Sequence, residues 1–153
     1  MNRNFDATRV IIVDDDPVMR EGLIQILRGD SSIEVAGEAA NGNEALPLAV
    51  RVRPDIVIMD LSMPKLDGVA TTRQILEFVP QSDVLAVSVY TDMDRAGDVI
   101  DAGAMGYLVK AGAPRHLIPA VHAIAAGGVF FSPGISARLM QKLNQPLMAS
   151  SHG

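Results

Sequence analysis

Five short apolar runs punctuate the first 110 residues and constrain the chain more than any other feature. They are Val10-Ile11-Ile12-Val13, Ile33 to Ala36, Ile56-Val57-Ile58-Met59, Val84 to Val89, and Met105 to Val109. Most are β-branched and too short for helices, the pattern of strands buried on both faces. Helical periods fill the gaps. Met19, Leu23, Ile26 and Leu27 form one face of a helix that Pro17 opens at its first position. Ala45, Leu46, Ala49 and Val50 repeat such a face, as do Val69, Thr72, Leu76 and Val79, and then Leu117, Ile118, Val121, Ile124 and Ala125. Strands that alternate with helices predict an α/β domain, doubly wound around a five-stranded parallel sheet with five helices.

Three places resist this pattern. Pro47 and Pro119 fall inside predicted helices, where a proline costs ~3 kcal/mol, so those helices are expected to start later or to bend. Residues 91–101 form the weakest helix, because Asp94, Gly97 and Asp98 are poor interior residues. After Gly127-Gly128 the alternation ends. Ser132-Pro133 then starts a short sixth helix with Ile135, Leu139 and Leu143 on one side, stopped by Pro146. The expected organisation is a flexible N-terminus at 1–8, a domain at 9–126, and a linker with a short helix at 127–153.

Composition bears on what such a domain can do. The chain of 153 residues has no cysteine, which excludes disulfide frameworks, zinc knuckles and thiol nucleophiles. The N-terminus is polar, and no apolar run approaches the roughly 18 residues of a membrane span, so a cytoplasmic location without membrane contact is expected. All 18 acidic residues lie at or before Asp101, and beyond Lys110 only Arg115, Arg138 and Lys142 are charged. The acidic body argues against a nucleic-acid surface within it.

In a parallel sheet, chemistry gathers beyond the carboxyl ends of the strands. The first strand is followed by Asp14, Asp15 and Asp16, the third by Asp60, the fourth by Ser88 and the fifth by Lys110. Each residue alone has an ordinary explanation: a helix N-cap, a satisfied core hydroxyl, a solvated loop charge. Their joint placement after strands one, three, four and five points elsewhere. Converging carboxylates need a cation, and hard oxygen ligands suit magnesium. One carboxylate would act as nucleophile toward a phosphoryl group whose charge Mg2+, Lys110 and Ser88 offset.

These residues sit in motifs that resemble the response-regulator receiver domain of two-component signalling: VDDD at 13–16, PDIVIMDLSMPKLDG at 54–68, VLAVSVY at 84–90 and AGAMGYLVK at 102–110. The resemblance implies the flavodoxin-like strand order 2-1-3-4-5. It implies that Asp60 is the phosphoacceptor, that Asp14, Asp15, Asp60 and the Ser62 backbone carbonyl hold Mg2+, and that Ser88 and Lys110 bind phosphoryl oxygens. Tyr107 matches the aromatic that changes rotamer as Ser88 moves. By this resemblance the chain is a phosphoacceptor switch rather than an enzyme acting on other substrates. The implied partners are a sensor histidine kinase and, on phosphorylation, a second copy of the chain.

The stretch AIAAGGVFFSPGISARLM at 123–140 resembles the NarL/FixJ branch, whose members carry a LuxR-type helix-turn-helix after a linker. Too little sequence follows Pro146 for that output domain, so DNA binding and control of transcription are expected only through a part this chain lacks. A receiver fragment is expected over a natural single-domain regulator. Three positions depart from the family pattern. Ala111 stands where many receivers have a cis proline, and a cis bond there would cost ~3–4 kcal/mol, so a trans bond is expected. Asp16 stands where this branch usually has His and would modulate metal affinity. Tyr90, two residues past Ser88, is expected to shield the phosphoryl group from water.

Two other classes compete. Asp14-Asp15-Asp16-Pro17-Val18 also fits the D-x-D-x-V of haloacid-dehalogenase-like phosphatases, with Asp14 as nucleophile and Asp16 as acid/base. Those enzymes need a further acidic pair after the lysine, and residues 111–153 contain no Asp or Glu. The other is a receiver fold used only for docking, without phosphorylation. Such modules lose acceptor, acidic-pair or lysine residues, and all are present here.

Overall fold

Unbroken apolar runs in the inner strands, Val10 to Val13, Ile56 to Met59 and Val84 to Val87, leave both sheet faces apolar, so the sheet must be covered on each side. A computed structural model of the chain, which describes residues 7–62, 67–89 and 93–137, shows how. In chain order the elements are β1 (Thr8–Val13), α1 (Pro17–Leu27), β2 (Ile33–Ala39), α2 (Gly42–Val52), β3 (Ile56–Asp60), α3 (Gly68–Phe78), β4 (Asp83–Ser88), α4 (Met93–Asp101), β5 (Gly106–Val109), α5 (Ala113–Ala125) and β6 (Phe130–Phe131). All strands pair in parallel, in the order β2-β1-β3-β4-β5-β6.

Strand alternation sorts the core into two layers. Ile11, Val13, Val57, Met59, Val84, Ala86 and Tyr107 face α2, α3 and α4 through Ala45, Ala49, Ile75, Ala96 and Val99. Val10, Ile12, Ile56, Ile58, Leu85, Val87 and Leu108 face α1 and α5 through Leu23, Ile24, Leu27, Leu117, Val121 and Ile124. Among the described residues, no helix is long and apolar enough to cross a membrane.

The five-stranded expectation is corrected to six. Phe130 and Phe131 pair with Gly106 and Tyr107 on β5. The turn that brings them there follows α5: Gly128 N–H donates to the Ala123 carbonyl and Gly127 N–H to that of Ile124, while Gly127 takes φ +93°. A Cβ on Gly106 would lie 2.7 Å from the Phe130 carbonyl oxygen, so only glycine admits β6 at this distance. The helical segment at 133–137 follows, and Ile135, 1% exposed, packs into the same layer as Tyr107. Part of the expected linker therefore belongs to the domain body. The remainder of the sixth helix lies outside the described residues.

The prolines do not delay their helices. α2 begins at Gly42 and α5 at Ala113, each running through its interior proline. Pro47 and Pro119 are both exposed, so the hydrogen bond each removes is on the water side, where the orphaned carbonyl faces solvent. β1 starts at Thr8, one residue inside the expected flexible terminus.

Candidate functional site

Asp14 directly follows β1, Asp60 and Ser88 are the last residues of β3 and β4, and Lys110 directly follows β5. Because β1 and β3 are neighbours while β2 lies on the far side of β1, these residues share the pole where strand order reverses. Lys110 Nζ lies 3.2 Å from Asp60 Oδ2 and 3.4 Å from Asp14 Oδ2, and all three side chains are buried.

The two aspartates are held alike. Asp14 Oδ1 accepts the Asp16 N–H at 2.9 Å, and Asp60 Oδ1 accepts the Ser62 N–H at 2.8 Å. Each carboxylate thus has one oxygen tied to backbone two residues on, a local turn that aspartate forms readily. The other oxygen is turned toward the lysine. Burial pushes Asp14 from 3.8 up to about 6; the Asp16 N–H opposes the rise and the charge of Asp60 adds to it. The site therefore holds more negative charge than one lysine balances.

That imbalance is a test of fit for a metal ion. Asp14 Oδ2 is buried and accepts no hydrogen bond. One carboxylate oxygen each from Asp14, Asp15 and Asp60 lie within 4.8 Å of one another. Hard oxygens, one of them lacking a donor, on a partly open rim suit magnesium, which keeps several waters and takes few carboxylates. Asp15 supplies the open side, being exposed.

Ser88 is fully buried at the end of β4, paired in register with Val109 beside Lys110. Ser62 Oγ accepts the Val89 N–H at 3.1 Å, tying the loop after β3 to the end of β4. Tyr107 is fully buried opposite Ala86, so alternation puts it on the same sheet face as Ser88. It shares its layer with Ala96 and Val99 of α4 and with Ile135.

Asp16 is not among the gathered carboxylates. Its side chain accepts the N–H groups of Val18 at 3.0 Å and Met19 at 3.3 Å and so caps α1. This occupies the group that the phosphatase reading needs as acid/base, and Asp60 lies where that reading has no use for it. Among the described residues no peptide bond is cis, so the Lys110–Ala111 bond is trans. Tyr90 lies outside the described residues, as do residues 63–66 of the motif at 54–68.

Known proteins share this sequence pattern and fold. The sequence profile described as response regulator receiver domain matches residues 10–122. The transcriptional regulatory protein DegU of Brevibacillus brevis is 33% identical over 139 residues, covering 91% of this chain and 59% of its own length. The chain thus spans less than two thirds of the curated relatives it matches first, 59 to 64% of their lengths. Among solved structures, a LuxR-family two-component response regulator from Aurantimonas sp. SI85-9A1 superposes with a TM-score of 0.84 at 33% identity, covering 89% of this chain and 97% of that one. The isolated REC domain of RcsB from Salmonella enterica serovar Typhimurium, in the presence of the phosphomimetic BeF3-, gives 0.79 at 25% identity, with 86% and 97% covered.

Proposed function

This chain belongs to the response regulator receiver domain family, and on that premise we propose that Asp60 is its phosphoacceptor. The observation that carries this reading is the pairing at Asp60: Oδ1 is pinned by the Ser62 N–H while Oδ2 is presented toward Lys110 at 3.2 Å. An oxygen of Asp60 attacks the phosphorus of a donor, the bond from phosphorus to the donor's leaving group breaks, and an acyl phosphate remains on Asp60. Lys110 offsets charge on the phosphoryl oxygens, and the Ser88 hydroxyl donates to one of them. Asp14, Asp15 and Asp60, with the Ser62 carbonyl, would hold Mg2+. When bound, the ion supplies further neutralisation of phosphoryl charge.

The donor is a sensor histidine kinase, whose phosphohistidine matches the chemistry of such a leaving group. Residues 9–126 form the receiver, and 127–153, whose β6 and Ile135 pack onto it, lead on to an output. That the relatives are named as transcriptional regulators supports DNA binding through a further domain as that output. The switch runs from Ser88 to Tyr107, whose core layer includes Ala96 and Val99 and would carry a movement into α4 and from there to a dimer face.

Incubation with magnesium and a small acyl-phosphate donor, read by intact mass, tests the assignment. We expect one phosphoryl group per chain, lost in Asp60→Asn. An adduct that persists in Asp60→Asn contradicts it, and turnover that depends on Asp14 without an adduct on Asp60 favours the phosphatase.

A further inference from the structure

We infer that Arg20 is a positioning residue for the acidic site, an inference that rests on the metal-binding reading of Asp14, Asp15 and Asp60. Arg20 stands on α1, and the polar partners of its side chain among the described residues are Glu38 and the Asp14 backbone. Its Nη1 donates to the backbone carbonyl of Asp14 at 2.6 Å, and its Nε donates to Glu38 Oε1 at 2.9 Å, near the end of β2. The side chain is mostly buried, 18% exposed. One planar group thus joins α1, the end of β1 and the end of β2 with two donors in fixed relation.

What it grips is decisive. The Asp14 carbonyl and the Asp15 N–H belong to one rigid peptide plane, so fixing that carbonyl fixes where the Asp15 side chain leaves the backbone. Asp14 has other restraints: its N–H donates to Ala39 O at 3.0 Å and its Oδ1 accepts from Asp16. Asp15 is exposed, and no hydrogen bond from a described residue holds its carboxylate. The Cα from which it reaches toward Asp14 and Asp60 is therefore held through the plane that Arg20 grips.

The sign of the effect separates positioning from simple electrostatics. A guanidinium cation near a magnesium site repels the ion, so if charge were its only influence, removing it would tighten binding. If Arg20 positions Asp15, removing it weakens binding despite the lost repulsion.

The experiment is calorimetric titration of the full chain with Mg2+, alongside urea unfolding in EDTA to separate stability from affinity. Arg20→Met keeps an apolar stem and loses both donors. Its magnesium Kd is expected to rise about tenfold, the low end for loss of a group that orients a metal ligand. Arg20→Lys, which keeps the charge but not the fork, is expected to fall between the two. Unchanged or tighter binding by Arg20→Met overturns the inference. If Arg20→Met shows no cooperative unfolding, Arg20→Lys decides: weakening of about threefold or more supports positioning, and less overturns it. Absence of saturable Mg2+ binding by the unsubstituted chain overturns the metal reading itself, whereas equal binding by chain and variant removes only the role of Arg20.

Discussion

Asp14→Asn should make the metal-free protein more stable while disabling its chemistry. Asp14 is fully buried, and its carboxyl is raised from 3.8 to about 6. Each pH unit of displaced proton affinity corresponds to about 1.4 kcal/mol, so keeping this group ionised at neutral pH costs the fold about 3 kcal/mol. Between 3.8 and about 6 the folded chain holds a proton that the unfolded chain releases. Stability from this group is therefore full below 3.8, falls as pH rises through about 6, and is level above it. Asparagine matches the shape and keeps an oxygen for the Asp16 N–H, but its amide nitrogen would face Lys110, which removes part of the gain. We expect a net stabilisation of about 1–2 kcal/mol near pH 7.5, measured by urea unfolding in EDTA, shrinking near pH 5 as the native carboxyl protonates. Saturating magnesium should narrow or reverse the difference, because only the unsubstituted site binds it well. A variant no more stable than the parent near pH 7.5, or a gain independent of pH, would refute the reasoning.

Two further outcomes probe the segment that the structure adds to the sheet. Gly106→Ala places a Cβ 2.7 Å from the Phe130 carbonyl oxygen and 2.8 Å from Leu85 Cδ1, so either β6 detaches or the core strains. A loss of about 1–3 kcal/mol in urea unfolding is expected, and a loss below about 0.5 kcal/mol would mean that β6 is not seated as described. Ser132→Ala removes the acceptor of the Val109 N–H, a 2.9 Å hydrogen bond one residue before Lys110. It should cost about 1–2 kcal/mol and speed hydrogen exchange at the Val109 amide, and unchanged exchange there would contradict the contact.

The strands were legible because β-branched runs of four to six residues have few alternatives, and the polar site was legible because it follows from what ends each strand. β6 was not, since two residues have no period and their pairing depends on the missing side chain of Gly106. The duties of the three consecutive aspartates were only partly readable. Pro17 at the first helical position marks Asp16 as the cap, a signal present in the sequence but outweighed by its acidic neighbours. The contact of Arg20 left no such trace, because one partner is a backbone carbonyl and the other, Glu38, is 18 residues away. The two interior prolines misled for a physical reason: their cost depends on which side of the helix the lost hydrogen bond faces, and both are on the water side.

The central claim is that Asp60, and no other carboxylate of the acidic site, receives the phosphoryl group. Borohydride reduces an acyl phosphate to the alcohol, so trapping the phosphorylated chain and mapping the modified peptide identifies the acceptor. The account predicts reduction at Asp60 alone, dependent on magnesium, with Asp14 and Asp15 intact. Reduction at Asp14 or Asp15, or none at any of the three in a chain that carries phosphate, would contradict it.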